Sequence, residues 1–347
     1  MSGRVRDARS VRMALTAGLA LLLATANARA EFLGLSADEE NDSTLSASDQ
    51  HYSQGLRLSA TWSDPQWRPL QGLFALLPMS FTSELDSDLD REYSLLLGQS
   101  IFTPNHVGNP IPDPADRPYA GWLYAGLSLM QQQRLDRCGS AMLESFELEL
   151  GVVGPASQAE EIQIWWHGLF GFTRPAGWQF QLKNEPGVVV SYERRIRYQL
   201  LGGETFGLDV IPEVGLSAGN VLTYGDLGAV VRLGFGLDKT YGPARIRPSQ
   251  SGTDWFDNDV ATDEFGAYIY AGFQTRFVAR NIFLDGNSWE DGPRVDREPV
   301  VADLVFGASA YWATNLRLDV SLVHRSKEFK GQPDPDTFAA VSLSTAF

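Results

Sequence analysis

Residues 146–152 read Phe146-Glu147-Leu148-Glu149-Leu150-Gly151-Val152, so apolar side chains alternate strictly with charged or very small ones. Residues 316–322 repeat the pattern as Leu316-Arg317-Leu318-Asp319-Val320-Ser321-Leu322. Alternation with a period of two indicates β-strands with one apolar and one polar face. These strands run to ten residues or more, whereas strands of soluble β-sandwiches are usually about five or six residues long.

Similar segments recur along the chain, at about twelve places. They lie near residues 31–40, 51–62, 92–101, 119–131, 142–153, 185–199, 207–217, 226–237, 265–281, 299–312, 316–326 and 337–347. Bacterial outer-membrane barrels have an even number of antiparallel strands that alternate apolar-out and polar-in. The pattern therefore predicts an all-β fold, a transmembrane antiparallel β-barrel of about twelve strands.

Composition excludes several other classes of protein. The chain has 347 residues, a formal net charge of −15 and one cysteine, Cys138. A single cysteine excludes a disulfide scaffold and a cysteine zinc cluster, and the acidic excess argues against a nucleic-acid partner. A mean hydropathy of −0.17 is too polar for a helical membrane protein, but it is compatible with a barrel whose inner face is polar.

The first thirty residues have the features of a secretory signal. Four arginines precede an apolar run from Met13 to Ala26, and Ala28-Arg29-Ala30 is a small-x-small cleavage site. The apolar run has about fourteen residues, fewer than the roughly twenty that span a bilayer as a helix. We therefore expect a signal peptide over 1–30 and an exported barrel over 31–347.

The end of the chain and its aromatic residues add to the barrel prediction. Val341, Leu343, Thr345 and Phe347 share one face of the last strand, and this ending resembles the terminal strand that the barrel assembly machinery recognises. We expect that machinery as a partner during biogenesis. Aromatic residues near strand ends are expected in the interfacial girdles, and those predicted here are Tyr119, Trp122, Tyr124, Tyr311 and Trp312.

Strand parity predicts which connections face the cell exterior. If the chain starts on the periplasmic side, every connection after an odd strand is external. This rule brings together, at one rim, Asn41-Asp42, the 102–117 loop and the 154–184 segment. It also places the long 63–91 and 238–264 connections on the periplasmic side, where turns are usually short. The sequence indicates no role for the 238–264 connection.

One external segment, Ala159 to Phe172, lacks strand alternation and predicts a short helix. Gln163 and His167 are four residues apart and share one helical face. The helix also carries Trp165 and Trp166, and indole rings partition well into the lipid headgroup region. A histidine held there, opposite an Asn-Asp pair, can activate water beside an ester.

Four stretches resemble the lipid A 3'-O-deacylase family of outer-membrane barrels. They are Glu40-Asn41-Asp42, Tyr52-Ser53-x-Gly55-Leu56-Arg57-Leu58, Asp116-Arg117-Pro118-Tyr119-Ala120-Gly121-Trp122, and Gly154-Pro155 through Gln163 to His167. The resemblance implies a twelve-stranded barrel that uses calcium to hydrolyse the 3'-linked ester acyl chain of lipid A, within lipopolysaccharide of the outer leaflet.

The same resemblance implies the site residues. His167 would be the general base that deprotonates water, and Gln163, Asn41 and Asp42 would line the site. Ser53 stands where family members can carry a threonine hydroxyl. Asp42 would either organise the calcium or orient His167. The 105–109 loop lacks a basic residue found there in the family, which puts phosphate recognition by this loop in doubt.

Two other interpretations remain open, and a third is disfavoured. An outer-membrane phospholipase would use the same site on another lipid. A non-catalytic structural barrel or narrow channel would have a dead site, and its lumen would hold Glu147, Glu149, Arg232, Arg276 and Arg317. Gly215-Leu216-Ser217-Ala218-Gly219 matches a serine-hydrolase elbow, but the elbow needs a strand-to-helix turn. Another strand follows here, so we expect barrel wall.

Overall fold

The computed structural model describes residues 31–42, 51–63, 89–135, 140–202, 206–242, 246–247, 250–251, 265–312 and 316–346. The predicted signal peptide and most of the 63–91 connection lie outside these ranges. Twelve antiparallel strands close into one barrel, in which the first strand pairs with the last. The predicted fold class is confirmed, including the strand number.

The strands are long, as the alternation predicts. Their bounds are β1 Phe32–Asn41, β2 His51–Ser63, β3 Leu89–Thr103, β4 Ala120–Arg134, β5 Ala141–Val153, β6 Glu185–Gly202, β7 Gly207–Gly219, β8 Leu222–Phe235, β9 Ile246–Arg247, β10 Gln250–Ser251, β11 Gly266–Asn281, β12 Val300–Trp312, β13 Leu316–Arg325 and β14 Asp336–Ala346. β9 and β10 form a separate two-stranded sheet, and the other twelve strands form the barrel.

Two α-helices lie in connections on the predicted external side. α1 spans Ala159–Phe170 in the connection from β5 to β6, and α2 spans Ile282–Asp285 after β11. α1 begins after a single 3-10 turn, Pro155–Ser157, and ends at Gly171, whose φ of 74° few residues with a side chain adopt. The short external helix is thus confirmed. No helix among the described residues is long and apolar enough to cross a membrane.

Alternation along each strand separates a polar lumen from an apolar outer wall. On β5, Glu147 and Glu149 are buried inside while Leu150 is exposed outside. The lumen is filled by ion pairs, of which Arg325 Nε to Asp303 Oδ1 at 3.0 Å and Arg57 Nη2 to Glu147 Oε2 at 3.8 Å are examples. Arg232, Arg276 and Arg317 are buried there as well, as predicted. Buried charges require such partners, because an unpaired charge is very costly away from water.

The chain after β8 folds back into the periplasmic end of the barrel. Arginines on three strands donate to backbone carbonyls of residues 237–242: Arg232 to Leu237 at 2.6 Å, Arg197 to Asp238 at 2.6 Å, and Arg317 to Gly242 at 2.8 Å. The first part of the long 238–264 connection therefore closes the lumen. The structure thus gives this part a role that the sequence did not indicate.

The aromatic residues predicted for the membrane girdles are mostly elsewhere, and that prediction is wrong for four of five. Only Trp312 is exposed. Trp122 and Tyr124 fall on the lumen-facing positions of β4 and stack on each other. Tyr119 and Tyr311 are buried and donate to the carbonyls of Val107 and Gly236. Trp122, Tyr124 and Tyr311 face the lumen because the parity of each strand, not its proximity to the membrane surface, sets the direction of the side chain. Tyr119 is on the outer side of the wall, but Trp178 and Ala159 cover it there.

The serine-hydrolase motif is part of the wall, as expected. Gly215 to Gly219 lie within β7, and Ser217 is buried in the lumen. Its hydroxyl bonds the Ser191 hydroxyl of β6 at 2.8 Å. Because the Ser217 segment is neither a sharp turn nor the start of a helix, it cannot present a nucleophile as an elbow does.

Candidate active site

α1 lies outside the barrel, against the outer ends of β3 and β4. Gly121 is an outward-facing residue of β4, and a Cβ built on it would lie 2.1 Å from Ser157 Oγ and 2.3 Å from Ala159 Cβ. Only glycine permits so close an approach. Gln99 of β3 adds a tether, because its Nε2 donates to the Ser157 carbonyl at 2.7 Å. The start of α1 is therefore fixed on the outer surface of the wall.

The outer ends of β1 to β4 carry outward-facing positions that are nevertheless buried. Asn41, Gln54, Ile101 and Gly121 form one row across these four strands. Asn41 and Ile101 are 4% and 1% exposed, although their positions face away from the lumen. Part of this cover is the 154–184 connection, since Ile101 clusters with Ala159 of α1 and with Trp178. The row defines a covered patch on the lipid side of the barrel, not in its lumen.

The length of the covered patch across β1 to β4 is similar to the length of α1. Adjacent strands are about 4.8 Å apart, so the row from Gly121 to Asn41 is about 14 Å long. A twelve-residue helix is about 18 Å long. α1 is therefore long enough to extend from β4 to β1, the strand that ends in Asn41-Asp42.

Gln163 and His167 are the buried residues in the body of α1, beside Ala159 at its start. The i, i+4 spacing puts both on the face that is turned from solvent, as predicted from sequence. Between and beyond them, Trp165, Leu169 and Phe170 are exposed. The helix therefore holds two polar side chains inward and presents large apolar side chains outward.

His167 is oriented by the chain that follows its own helix. Its Nδ1 lies 2.5 Å from the carbonyl oxygen of Thr173. A carbonyl oxygen only accepts hydrogen bonds, so Nδ1 carries the proton in the neutral ring. The lone pair then resides on Nε2, which makes Nε2 the basic atom. Phe172 packs edge-on against the ring at 5.7 Å between centroids and further limits its orientation.

Gln163 is oriented by a neighbouring indole. Trp178 Nε1 donates to Gln163 Oε1 at 2.9 Å. An indole N–H can only donate, so the amide oxygen must face Trp178 and the amide nitrogen must face the other way. Trp178 is itself buried against Tyr119, at 4.9 Å between ring centroids. The amide of Gln163 is therefore held with its donor side directed away from Trp178.

Ser53 lies where the pairing of β2 with β3 shifts by one residue. Tyr52 pairs with Phe102 and Gln54 pairs with Ile101, which leaves Ser53 as the extra residue of a β-bulge. Its hydroxyl lies 2.5 Å from that of Thr103, and both residues are buried. A bulge changes the direction of a side chain without interrupting the sheet, and here it joins two hydroxyls at the rim next to Asn41.

Asn41 ends β1 and Asp42 follows it, and both are buried. Asp42, Asn41 and Ser53 offer a carboxylate, an amide oxygen and a hydroxyl, which are the oxygen ligands that calcium prefers. Among the described residues no group of three or more His, Cys, Asp or Glu side chains is placed to hold a metal ion. The residues present suit a hard cation bound partly by amide, carbonyl or water oxygens, and they do not suit zinc.

The Asp116 to Trp122 motif that leads into β4 holds the 104–119 loop in place. Asp116 accepts hydrogen bonds from the backbone N–H groups of Asn105 and Arg117, both at 2.7 Å. Arg117 is buried and pairs with Glu328 at 3.1 Å. Tyr119 binds Val107 through its hydroxyl. Each residue holds a loop in place, so the motif positions the site without forming its chemical groups.

Three residues that orient the site were not identified from sequence. Thr173 acts through its backbone, for which no side-chain signal exists. Thr103 and Gln99 are polar residues at outward-facing positions of β3, where a lipid-facing wall is normally apolar. That anomaly is a signal that the sequence contained.

The chain is similar to one family of outer-membrane proteins. The sequence matches the family described as outer membrane protein LpxR over residues 13–347. No curated protein matches the chain.

Among solved structures, LpxR from Salmonella typhimurium is similar, with a TM-score of 0.71 and 19% sequence identity over 90% of this chain and 100% of that one. The β domain of the Bordetella autotransporter BrkA covers 91% of this chain and 98% of its own, at a TM-score of 0.45 and 9% identity. An outer-membrane channel from Pseudomonas putida F1 reaches a TM-score of 0.44 at 10% identity, over 92% of this chain and 96% of that one. Only the first similarity is close enough to support the fold.

Proposed function

Because the chain belongs to the outer membrane protein LpxR family, we propose that it hydrolyses the 3'-linked ester acyl chain of lipid A with water activated by His167. Family membership places the protein in the outer membrane and supports a lipid A deacylase role. The geometry of the rim supports His167 as the base. Its substrate would be lipid A within the lipopolysaccharide of the outer leaflet.

The orientation of His167 supports the proposed mechanism. His167 Nδ1 lies 2.5 Å from the Thr173 carbonyl, and this contact leaves the Nε2 lone pair as the base. A histidine so oriented is suited to general base catalysis near neutral pH.

The location of His167 supports a lipid substrate. It is on the inward face of α1, a helix packed on the outer wall, and the exposed side of that helix carries Trp165, Leu169 and Phe170. Large apolar and indole side chains favour the boundary between headgroups and acyl chains. An ester at the same depth would meet the site without leaving the membrane.

The reaction follows from these positions. His167 Nε2 takes a proton from water, the hydroxide oxygen bonds to the ester carbonyl carbon, and that carbonyl oxygen gains the negative charge. When the intermediate collapses, the bond to the sugar oxygen breaks and the proton on Nε2 goes to that oxygen. The amide nitrogen of Gln163 is a donor suited to the oxyanion, because Trp178 holds the amide oxygen away. The products are a fatty acid and a free sugar hydroxyl.

We further propose that calcium binds at Asp42, with Asn41 and Ser53 as the other side-chain oxygens nearby in the strand register. Bound calcium would stabilise negative charge on the ester oxygen. The protein's own residues would hold that cation at the end of β1 and keep the surrounding patch covered from bulk water.

The test of the proposed function is mass spectrometry of lipid A from cells with and without the protein. We expect the loss of one ester-linked acyl group at the 3' position. An unchanged lipid A profile, together with fatty acid release from phospholipid by the purified protein, would favour the phospholipase and contradict the proposal.

Site variants test the mechanism on purified, detergent-solubilised protein. His167→Asn keeps a donor near the position of Nδ1 and removes the base, so we expect a fall of about 10²–10⁴-fold in acyl release. Asp42→Asn should abolish the response to added calcium, and a calcium chelator should inactivate the wild type reversibly. Full activity of His167→Asn in a heat-modifiable barrel would exclude His167 as the base.

A further inference from the structure

Three connections follow the outer ends of β1, β3 and β5 along the chain, and together they contain three lysine or arginine residues. Residues 43–50 include none, residues 104–119 include Arg117, and residues 154–184 include Arg174 and Lys183. Arg117 is buried and pairs with Glu328 at 3.1 Å. Lys183 Nζ pairs with Glu290 at 2.9 Å.

Arg174 differs from the other two. Its side chain is exposed, and in the described part of the chain its guanidinium takes part in no hydrogen bond or ion pair. A cation without an internal partner, in a chain with a net charge of −15, is able to bind an external anion at this rim.

The backbone of Arg174 is fixed next to His167. The Thr173 carbonyl that binds His167 Nδ1 belongs to the peptide that joins Thr173 to Arg174. The bond lengths along this path put the Arg174 Cα within about 6.5 Å of that nitrogen. On the other side, Ala176 N donates to the Val107 carbonyl at 2.9 Å, which holds the segment on the 104–119 loop.

We propose that Arg174 binds the phosphate monoester of lipid A and thereby sets the specificity of the site for the phosphorylated lipid. This inference rests on the proposed function. In lipid A the 4' phosphate is on the sugar carbon next to the 3' acylated carbon, so phosphate and ester arrive together. Arginine is the side chain suited to this role, because its planar guanidinium donates two parallel hydrogen bonds to phosphate oxygens.

Binding tests the proposal without turnover. In the His167→Asn background, the affinity for bisphosphorylated lipid A and for 4'-dephosphorylated lipid A is measured in detergent micelles. We expect Arg174→Ala to weaken binding of the bisphosphorylated lipid about tenfold and to leave binding of the 4'-dephosphorylated lipid unchanged. Arg174→Lys keeps the charge but loses the paired donors, so its effect should be intermediate.

Arg294 provides the matched control. It is an exposed arginine on the external connection between β11 and β12, and within the described chain it too has no ion pair. Arg294→Ala should not change either affinity. Equal weakening by Arg174→Ala and Arg294→Ala would indicate a general charge effect and would overturn the proposal. Equal weakening of both lipids by Arg174→Ala would overturn it as well.

Kinetics on the protein with His167 intact separates the two proposals. Arg174→Ala should raise KM for bisphosphorylated lipid A about tenfold with little change in kcat. Hydrolysis by the wild type with an unchanged KM in Arg174→Ala would overturn the role of Arg174 alone. Absence of hydrolysis by the wild type would overturn the proposed function, and the binding measurement would still decide the role of Arg174.

Discussion

At the scale of single residues, the site depends on contacts that orient the functional groups. His167 and Gln163 are both held by the residues that follow α1, Thr173 and Trp178. In each case the partner has only one hydrogen-bonding role, so it determines which atom of the functional group is left for chemistry. Such positioning residues affect the rate without touching the substrate.

Trp178 provides a test of this positioning. Trp178→Phe keeps an aromatic ring against Tyr119 but removes the N–H that binds Gln163. We expect kcat for lipid A to fall about tenfold, equivalent to one hydrogen bond of about 1.4 kcal/mol, while KM changes little. Trp165→Phe is the control, because Trp165 is exposed. Similar kinetics in both variants would show that Gln163 needs no fixed orientation.

At the scale of elements, α1 is a helix mounted on the outer wall by close approach to β4. The contact at Gly121 is on the outer surface of the sheet and takes no part in strand pairing. The position of α1 can therefore change without a change in the pairing of the strands. A change at this contact should therefore move the helix and leave the strands paired.

Gly121→Val tests the mounting of α1. A Cβ at Gly121 would lie 2.1 Å from Ser157 Oγ, so the start of the helix must shift. We expect acyl release to fall at least tenfold, since a displacement of about 1 Å can cost about 100-fold in rate. Gly225→Val on β8 is the matched control, because a Cβ built at Gly225 has its nearest neighbouring atom 3.9 Å away. Unfolding of Gly121→Val, seen as loss of heat-modifiability, would contradict a separate mounting.

The external loops are joined by the buried pair of Arg117 and Glu328, which predicts a dependence of stability on pH. Burial alone would raise the pKa of Glu328, but the positive charges of Arg325, Arg117 and Arg276 outweigh it, so the pKa lies below its usual value. Ionised Glu328 therefore stabilises the fold at neutral pH, and this contribution is lost as the pH falls through the lowered pKa.

Glu328→Gln should reduce the free energy of unfolding by about 3 kcal/mol at pH 7, because the arginines lose a buried partner. The difference from the wild type should shrink below the usual range of a glutamate pKa. Thermal denaturation followed by circular dichroism at several pH values measures it. Lys330→Ala removes an exposed pair with Asp296 at 4.0 Å and should have little effect. A difference that does not change with pH would show that Glu328 acts by packing alone.

At the scale of the whole molecule, the barrel is a closed scaffold. Ion pairs fill its lumen, and residues 237–242 cover its periplasmic end. The site lies on the opposite surface of the wall, toward the lipid. This arrangement favours an enzyme over the narrow channel that the sequence left open.

The closed lumen predicts weak conductance in planar bilayers. We expect the wild type to pass much less current than an open porin, because charged side chains and backbone occupy the path. Arg232→Ala combined with Arg317→Ala removes donors to Leu237 and Gly242 and should increase the current. Steady porin-like conductance of the wild type would contradict a closed barrel. Recognition of the last strand, Asp336–Ala346, by the assembly machinery remains a prediction.

Alternation predicted the strand number and, to within about four residues, the strand bounds, because a period of two is a local property that a membrane barrel imposes on every strand. The external helix was predicted from the interruption of that alternation between Ala159 and Phe172. The family resemblance supplied His167, Gln163, Asn41, Asp42 and Ser53 as site residues. The girdle prediction failed at Trp122, Tyr124 and Tyr311 because a position near a strand end does not reveal which face of the strand a ring takes. It failed at Tyr119 because Trp178, a residue distant in sequence, covers that ring. Three facts required the tertiary structure: the covered patch on the lipid side, the Thr173 carbonyl at His167, and the closure by residues 237–242. Each depends on contacts between distant segments of the chain, and no local pattern of side chains encodes those contacts.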